Sequence, residues 1–244
     1  MRVTRHEHVY QLTWFPGLFP VNVYLVEEEE ELTLIDAGLF LSLKGILRMA
    51  AKLGKPITRI VLTHAHDDHV GSLDALKEVL PQAEVSISQR DAKLLRGDRS
   101  LEPGEPETPI RGGVPTTVKT VPDRLLRDGD RIGSLLTVAA PGHTPGLMAF
   151  LDTRTRALIA GDAFQTQGGV AVSGKLKLRF PFPAFATWNL GESIASARKL
   201  RALEPTLLAA GHGPMLPRPA AAIDKAIQEA EHVWRNQHHA KEIH

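Results

Sequence analysis

Residues 61–72 read Val-Leu-Thr-His-Ala-His-Asp-Asp-His-Val-Gly-Ser, so the six positions from His64 to His69 hold three histidines and two aspartates. Imidazole and carboxylate bind first-row cations, and a divalent ion held by them polarises an oxygen or activates water. Three more isolated polar residues stand where apolar runs stop. His143 lies in Pro141-Gly142-His143-Thr144-Pro145-Gly146, and Asp162 ends Leu158-Ile159-Ala160-Gly161-Asp162. His212 lies between two glycines in Ala209-Ala210-Gly211-His212-Gly213-Pro214. Taken singly, each reads more readily as turn chemistry than as a ligand. Together, in this order and behind the triple-histidine segment, they read as one constellation. His6, His8, His232, His238, His239 and His244 lie toward the chain ends and read as surface residues.

Such groups converge only if strands deliver them on tight loops. Residues 58–63 read as a strand running into the cluster, and residues 70–80 as a helix stopped by Pro81. Upstream, 21–26 and 32–36 form a hairpin around an acidic turn, and 40–53 carry apolar side chains at helical spacing before Gly54. A short strand at 84–87 and a short helix at 91–95 follow. From 96 to 123 the pattern dissolves into Pro, Gly, Thr and charge, the signature of a lid or binding loop. Strands near 135–139, 147–151 and 157–160 come next, then a hairpin over 168–180 and a helix over 188–203 with Asn189 as its N-cap. A buried strand at 207–210 and a terminal helix over about 218–238 close the chain. Two halves thus share a strand-then-helix order.

The 244 residues suit a single domain, 1–244, with 43% hydrophobic and 23% charged residues. A formal net charge of +1 offers no field for nucleic acid or membranes. The chain has no cysteine, which removes thiolate ligands and a thiol nucleophile. The first eight residues contain no apolar signal core, and no run approaches the roughly 20 apolar residues of a membrane span. The expectation is a cytoplasmic enzyme acting on a small molecule, with no nucleic-acid or membrane partner and a possible homodimer.

The order His64-x-His66-x-Asp68-His69, His143, Asp162, His212, preceded by Leu34-Ile35-Asp36-Ala37-Gly38, resembles the metallo-β-lactamase fold superfamily over residues 20–215. The resemblance implies an α/β fold, a four-layer αββα sandwich. It also implies two divalent ions, zinc first, with iron or manganese as alternatives. His64, His66 and His143 would hold one ion, Asp68, His69 and His212 the other, with Asp162 between them. A bridging hydroxide would attack an ester, lactone, thioester or phosphoester, and Asp68 would be catalytic, orienting the nucleophile and passing its proton to the leaving group. Asp36, Thr63 and Thr144 would support the ligands, while Ala65 and Asp67 would point away.

Within the superfamily, the aspartate at 162 favours hydrolases of thioesters, lactones and phosphoesters over lactam-opening enzymes. Gln165 stands where lactone-opening members carry a tyrosine. A mononuclear iron dioxygenase acting on persulfides remains the alternative, and a metal-binding module without catalysis a lesser one. Two surfaces should shape substrate access: the 96–123 loop, and the turn holding Trp14, Phe15, Leu18 and Phe19. Lys175, Lys177 and Arg179 alternate with apolar residues, so a strand there would place three cations on one face. That face would protect a sheet edge or attract an anionic substrate.

Overall fold

Along the strand Val21–Glu27, side chains alternate between two apolar clusters, Val23 and Leu25 in one, Tyr24 and Val26 in another. In the strands Met148–Asp152 and Ala157–Gly161, Met148, Phe150 and Ile159 join that second cluster, while Ala149, Leu151 and Leu158 enter a third. A strand that buries both faces must be apolar throughout. That explains the continuous aliphatic runs of the sequence. Three clusters separated by two sheets make four layers, with helices outermost, as expected.

The structure is a computed structural model that describes residues 1–242, with side chains through Gln237. His244 and the side chains of His238 and His239 therefore lie outside the described residues. The first sheet comprises β1 (Arg2–His6), β2 (Val9–Trp14), β3 (Val21–Glu27), β4 (Leu32–Ile35), β5 (Ile57–Val61), β6 (Glu84–Ser88) and β7 (Arg124–Leu126), neighbours in that order. Pairing is antiparallel up to β4 and parallel from β4 to β7. The second sheet contains β8 (Arg131–Ile132), β9 (Leu135–Ala139), β10 (Met148–Asp152) and β11 (Ala157–Gly161). A two-stranded ribbon, β12 (Phe164–Gln165) with β13 (Ala171–Val172), precedes the last strands of that sheet, β14 (Leu207–Ala210) and β15 (Leu216–Pro217).

On the outer face of the first sheet lie α1 (Leu43–Leu53), α2 (Asp67–Val70), α3 (Leu73–Val79) and α4 (Asp91–Leu95), which bury Ile46, Val70, Leu73, Leu76 and Leu94 in its cluster. On the second sheet α5 (Phe182–Ala186) precedes α6 (Leu190–Ala202) and α7 (Ala220–Glu242). These last two bury Ile194, Leu200, Ile223 and Ala226 against β10, β11 and β14. Asn189 caps α6, its side chain accepting the Glu192 amide at 3.0 Å.

Three elements depart from the sequence expectation. The helix foreseen over 70–80 is two, α2 and α3, because Gly71 donates to the Gly38 carbonyl while the Ser72 hydroxyl donates to the Leu39 carbonyl and accepts from the Ser42 amide. The hairpin foreseen over 168–180 shrinks to β12 and β13, and residues 175–180 form no strand. Lys177 instead pairs with Glu229 of α7 at 2.7 Å, and Phe180 buries itself among aromatic rings, so the segment is anchored by side chains rather than by a ladder. Its cations therefore share no strand face. Finally, β1 and β2 add an edge that the hydrophobic pattern did not announce.

Candidate metal centre

The constellation forms where strands stop. His64 and His66 lie on the extended segment after β5, and one turn of α2 then brings Asp68 and His69 round to the same side. His143 sits in the connection between β9 and β10, Asp162 directly follows β11, and His212 follows β14. Gly211 is required beside Asp162, since a Cβ there would lie 2.0 Å from Asp162 Oδ1. Polar side chains of the first sheet hold the His212 loop. Asn22 Nδ2 donates to the carbonyls of Ala210 and Gly213, Gln11 Nε2 to Gly213 O, and the Tyr24 hydroxyl to Ala210 O.

All seven expected residues meet. Ligand atoms of His64, His66 and His143 lie within 4.8 Å of one another, as do those of His64, His69 and Asp162, and those of Asp68, His69 and His212. His143 Nε2 is 3.0 Å from His66 Nδ1 and 3.4 Å from Asp162 Oδ2, while His212 Nε2 is 3.2 Å from Asp162 Oδ2 and 3.5 Å from Asp68 Oδ2. Nitrogen and oxygen ligands about 2.0–2.1 Å from a tetrahedral ion stand roughly 3.3 Å apart. The spacing is that of ligands around cations. The histidines and Asp162 are buried, whereas the Asp68 side chain is 26% exposed.

The outward nitrogens show which way the rings are set. Thr63 Oγ1 donates to Asp36 Oδ2, so it accepts from His64 Nδ1 at 2.9 Å. His69 Nδ1 donates to the same Asp36 oxygen, His212 Nδ1 to the carbonyl of Pro20, and His66 Nε2 to that of Arg111. For His143 the acceptor is Ser173 Oγ, whose own proton goes to Thr187 Oγ1, which donates in turn to Pro183 O. Each network uses the outward nitrogen as a donor and so turns the other nitrogen inward, toward a cation. Two of those nitrogens, His64 Nε2 and His69 Nε2, have no hydrogen-bond partner, and neither has Asp162 Oδ1, although all three are buried. Buried atoms without partners are costly. A cation would satisfy all of them, so the donor set fits a metal.

Burial pulls the pKa of His64, His66 and His143 down, keeping those rings neutral. Burial acts the same way on His69, yet the carboxylates of Asp162, Asp68 and Asp36 outweigh it and raise its pKa to about 10. His212 is raised through Asp162 for the same reason, against its burial. Burial alone would raise the Asp162 carboxyl, but His212 and His69 hold it well below its usual value.

Residues absent from the sequence reading complete the centre. Asp91, fully buried, accepts from the Ala65 amide at 3.0 Å, Thr144 Oγ1 at 2.7 Å and the Gly146 amide at 2.8 Å. It ties the His64–His66 loop to the His143 loop, and burial raises its pKa to about 6 against those three hydrogen bonds. Thr144 therefore supports Asp91 and not an imidazole. The 96–123 excursion carries no secondary structure, but it is pinned. Arg111 O faces His66, Gly113 O accepts from Asp67 N, Asp74 binds the amides of Lys119 and Thr120, and Thr108 O accepts from Trp188 Nε1. At Gly112, with φ at 87°, a Cβ would lie 2.4 Å from His66 Nε2.

A cleft of about 550 Å³ opens over the cluster, with Phe19, Asp67, Asp68, Gly113, Phe182 and Pro183 in its walls. Ala65 is buried away from it as expected, but Asp67 faces it. The aromatic turn divides its duties. Trp14 packs in the core, Phe15 and Leu18 are exposed, and Phe19 meets the His212 ring edge-on at 5.3 Å between centroids. Gln165 is buried, its Nε2 donating to the carbonyls of Gln167 and Phe180, so that amide is not free for a substrate.

Comparison with known proteins agrees with this geometry. The chain is 58% identical to the protein YobT of Bacillus subtilis (strain 168) over 95% of its own length and 99% of that protein's. It is 30% identical to the "Probable metallo-hydrolase YflN" of the same organism, covering 79% of this chain and 80% of that one. A solved structure, described as TTHA1623 in a di-iron-bound form, superposes with a TM-score of 0.63 at 29% identity, over 87% of this chain and 96% of that one. The family described as the metallo-beta-lactamase superfamily matches residues 16–212, from the aromatic turn to the last histidine of the cluster. On that match the chain belongs to the metallo-β-lactamase superfamily and is a metallo-hydrolase.

Proposed function

We propose that this hydrolase works with two divalent ions, zinc being the first candidate, and cleaves an ester-type bond, in a carboxylic ester, lactone, thioester or phosphoester. The observation carrying this is the pair of ligand groups, His64–His66–His143 and Asp68–His69–His212, with Asp162 reaching both. A single-ion dioxygenase would leave the second group without a task. The di-iron description of TTHA1623 also supports a pair. When bound, such ions lower the pKa of water toward neutrality and polarise the oxygen under attack.

The chain's own residues divide the remaining work. Asp36 holds His64, through Thr63, and His69 directly, so one carboxylate orients an imidazole of each group. Asp162, buried and ionised, reaches His69, His143 and His212. Asp68 alone among the ligand carboxylates is partly open to the cleft, which suits it to hold a proton from the attacking water and pass it to the leaving group. Phe19 and Phe182 add apolar surface to the cleft beside these groups.

Elemental analysis of protein purified without added metal, followed by a screen of lactones, thioesters, aryl esters and phosphodiesters, tests the reading. About two zinc per chain with turnover of one of these classes is the expected result. One iron per chain, no zinc and no hydrolysis would overturn it.

A further inference from the structure

The lining of the cleft has two chemistries. One part is the cluster itself with Asp67 and Asp68; the other is apolar, made of Phe19, Phe182, Pro183 and Ala186, with Phe19 packed edge-on against the His212 ring. The apolar wall is built to stay in place. Phe180 is fully buried beneath it, 5.3 Å from both Phe19 and Phe182 between ring centroids, and Phe19 stands 5.0 Å from Phe182. Thr187 Oγ1 donates to Pro183 O, and Trp188 N to the carbonyl of His143 itself, which ties α5 to the loop that carries that imidazole. Yet Phe182 remains 51% exposed. An aromatic side chain left open beside a reaction site gains its stabilisation only when something apolar covers it.

Charge narrows the class further. Among the described residues, no lysine or arginine lines the cleft. Arg99, whose charge reaches Asp67, directs its guanidinium to the carbonyls of Ile110 and Gly112, and Lys177 is held by Glu229. The carboxylates of Asp67, Asp68 and Asp162 offset most of the charge that two divalent ions would bring. Beyond the ions themselves, a phosphodiester, or a thioester whose carrier bears phosphates or carboxylates, would find no side-chain cation in the lining to pair with.

We infer that the substrate is an uncharged carboxylic ester, open-chain or cyclic, whose apolar group lies on the wall made by Phe182, Pro183 and Phe19. This rests on the hydrolase reading above and narrows it. In the step concerned, the oxygen of water bonds to the carbonyl carbon and the ester C–O bond breaks. The electron pair goes to the alkoxide oxygen, which takes up a proton to give an alcohol, released from an open-chain ester or retained in the hydroxy acid from a cyclic one.

The experiment uses the purified, zinc-loaded full chain and 4-nitrophenyl acetate, butyrate and octanoate, beside bis(4-nitrophenyl) phosphate and octanoyl-coenzyme A. The expected result is a kcat/KM that rises about tenfold from acetate to octanoate, with the two anionic substrates at least 100-fold below octanoate. F182A should shrink the octanoate-to-acetate ratio toward unity, mainly through KM, with its bound zinc and thermal transition retained. If that variant does not fold, the chain-length series of the unaltered protein still decides. A flat series, or preference for either anionic substrate, would overturn the inference while leaving a hydrolase. Hydrolysis of nothing in the panel, nor of an uncharged lactone with an alkyl side chain, by protein holding two ions would instead overturn the hydrolase reading itself.

Discussion

Asp68 and His69 are neighbours in the chain with opposite surroundings, one partly open to the cleft and one sealed between carboxylates. Replacing Asp68 by Asn keeps an oxygen for a cation but removes the proton carrier. We expect kcat to fall on the order of 10²-fold with KM little changed and metal content retained, measured by steady-state kinetics and elemental analysis. A near-normal kcat would remove the proton role. His69 makes a different prediction. Its pKa of about 10 means that, without a cation at Nε2, the ring carries a proton at neutral pH. A cation taking that nitrogen must expel the proton, so affinity should rise with pH up to about 10, and uptake at pH 7.5 should release at least one proton per chain. Zinc titration in weakly buffered indicator solution reads this directly; a proton count of zero would contradict it.

Elements supply what side-chain types alone do not reveal. The seven histidines and aspartates were legible because their types are rare at strand ends and their order is distinctive. Asp91 was not, because nothing about an aspartate opening a short helix announces that its carboxylate will join two loops 53 and 26 residues away. Asp91→Ala would leave the Ala65 and Gly146 amides buried without acceptors. We expect a loss of about 3 kcal/mol in stability and a 10–100-fold weaker metal affinity, measured by urea unfolding and chelator competition. A change in neither would reduce Asp91 to a bystander. The strand β2 was missed for a related reason. Its buried Gln11 and Thr13 break the apolar pattern because Gln11 binds the His212 loop and Thr13 holds Asn22, which binds it too. The 96–123 stretch reads correctly as lacking secondary structure, but what holds it, contacts that run largely through main-chain atoms, is not written in its side chains.

At the scale of the molecule, the cluster lies across the seam between the two sheets. His64, His66, Asp68 and His69 follow a strand of the first, and His143, Asp162 and His212 follow strands of the second. The apolar layer holding the sheets together contains Tyr24, Ile35 and Val61 on one side and Phe150, Ile159 and Ala209 on the other. Ions bound at its end would cross-link the halves and favour the folded chain by about 2.7 kcal/mol when free metal stands 100-fold above Kd. Stripping the protein with a chelator should therefore lower Tm by several degrees, and readdition of zinc should restore it. An unchanged Tm in calorimetry would show that the seam holds without metal. This arrangement was legible only in outline. The repeated strand-then-helix order pointed to two halves, but the faces on which they meet emerge only when the central strands, such as β3, β10 and β11, are seen to bury both sides.

Two of the rings are steadied by main chain, His66 by the carbonyl of Arg111 and His212 by that of Pro20, whereas His64 and His69 depend on the Asp36 carboxylate. A carbonyl survives any side-chain replacement; a carboxylate does not. Evolutionary drift is therefore freer at position 111, whose side chain is exposed, than at position 36, even though both stand one hydrogen bond from the cluster. Saturation libraries at the two positions, sorted on hydrolysis, should return many residues at 111 and little beyond aspartate at 36, and equal tolerance would refute it. Divergent descendants of this chain could thus keep the same chemistry while one of its supports became invisible to any comparison of side chains.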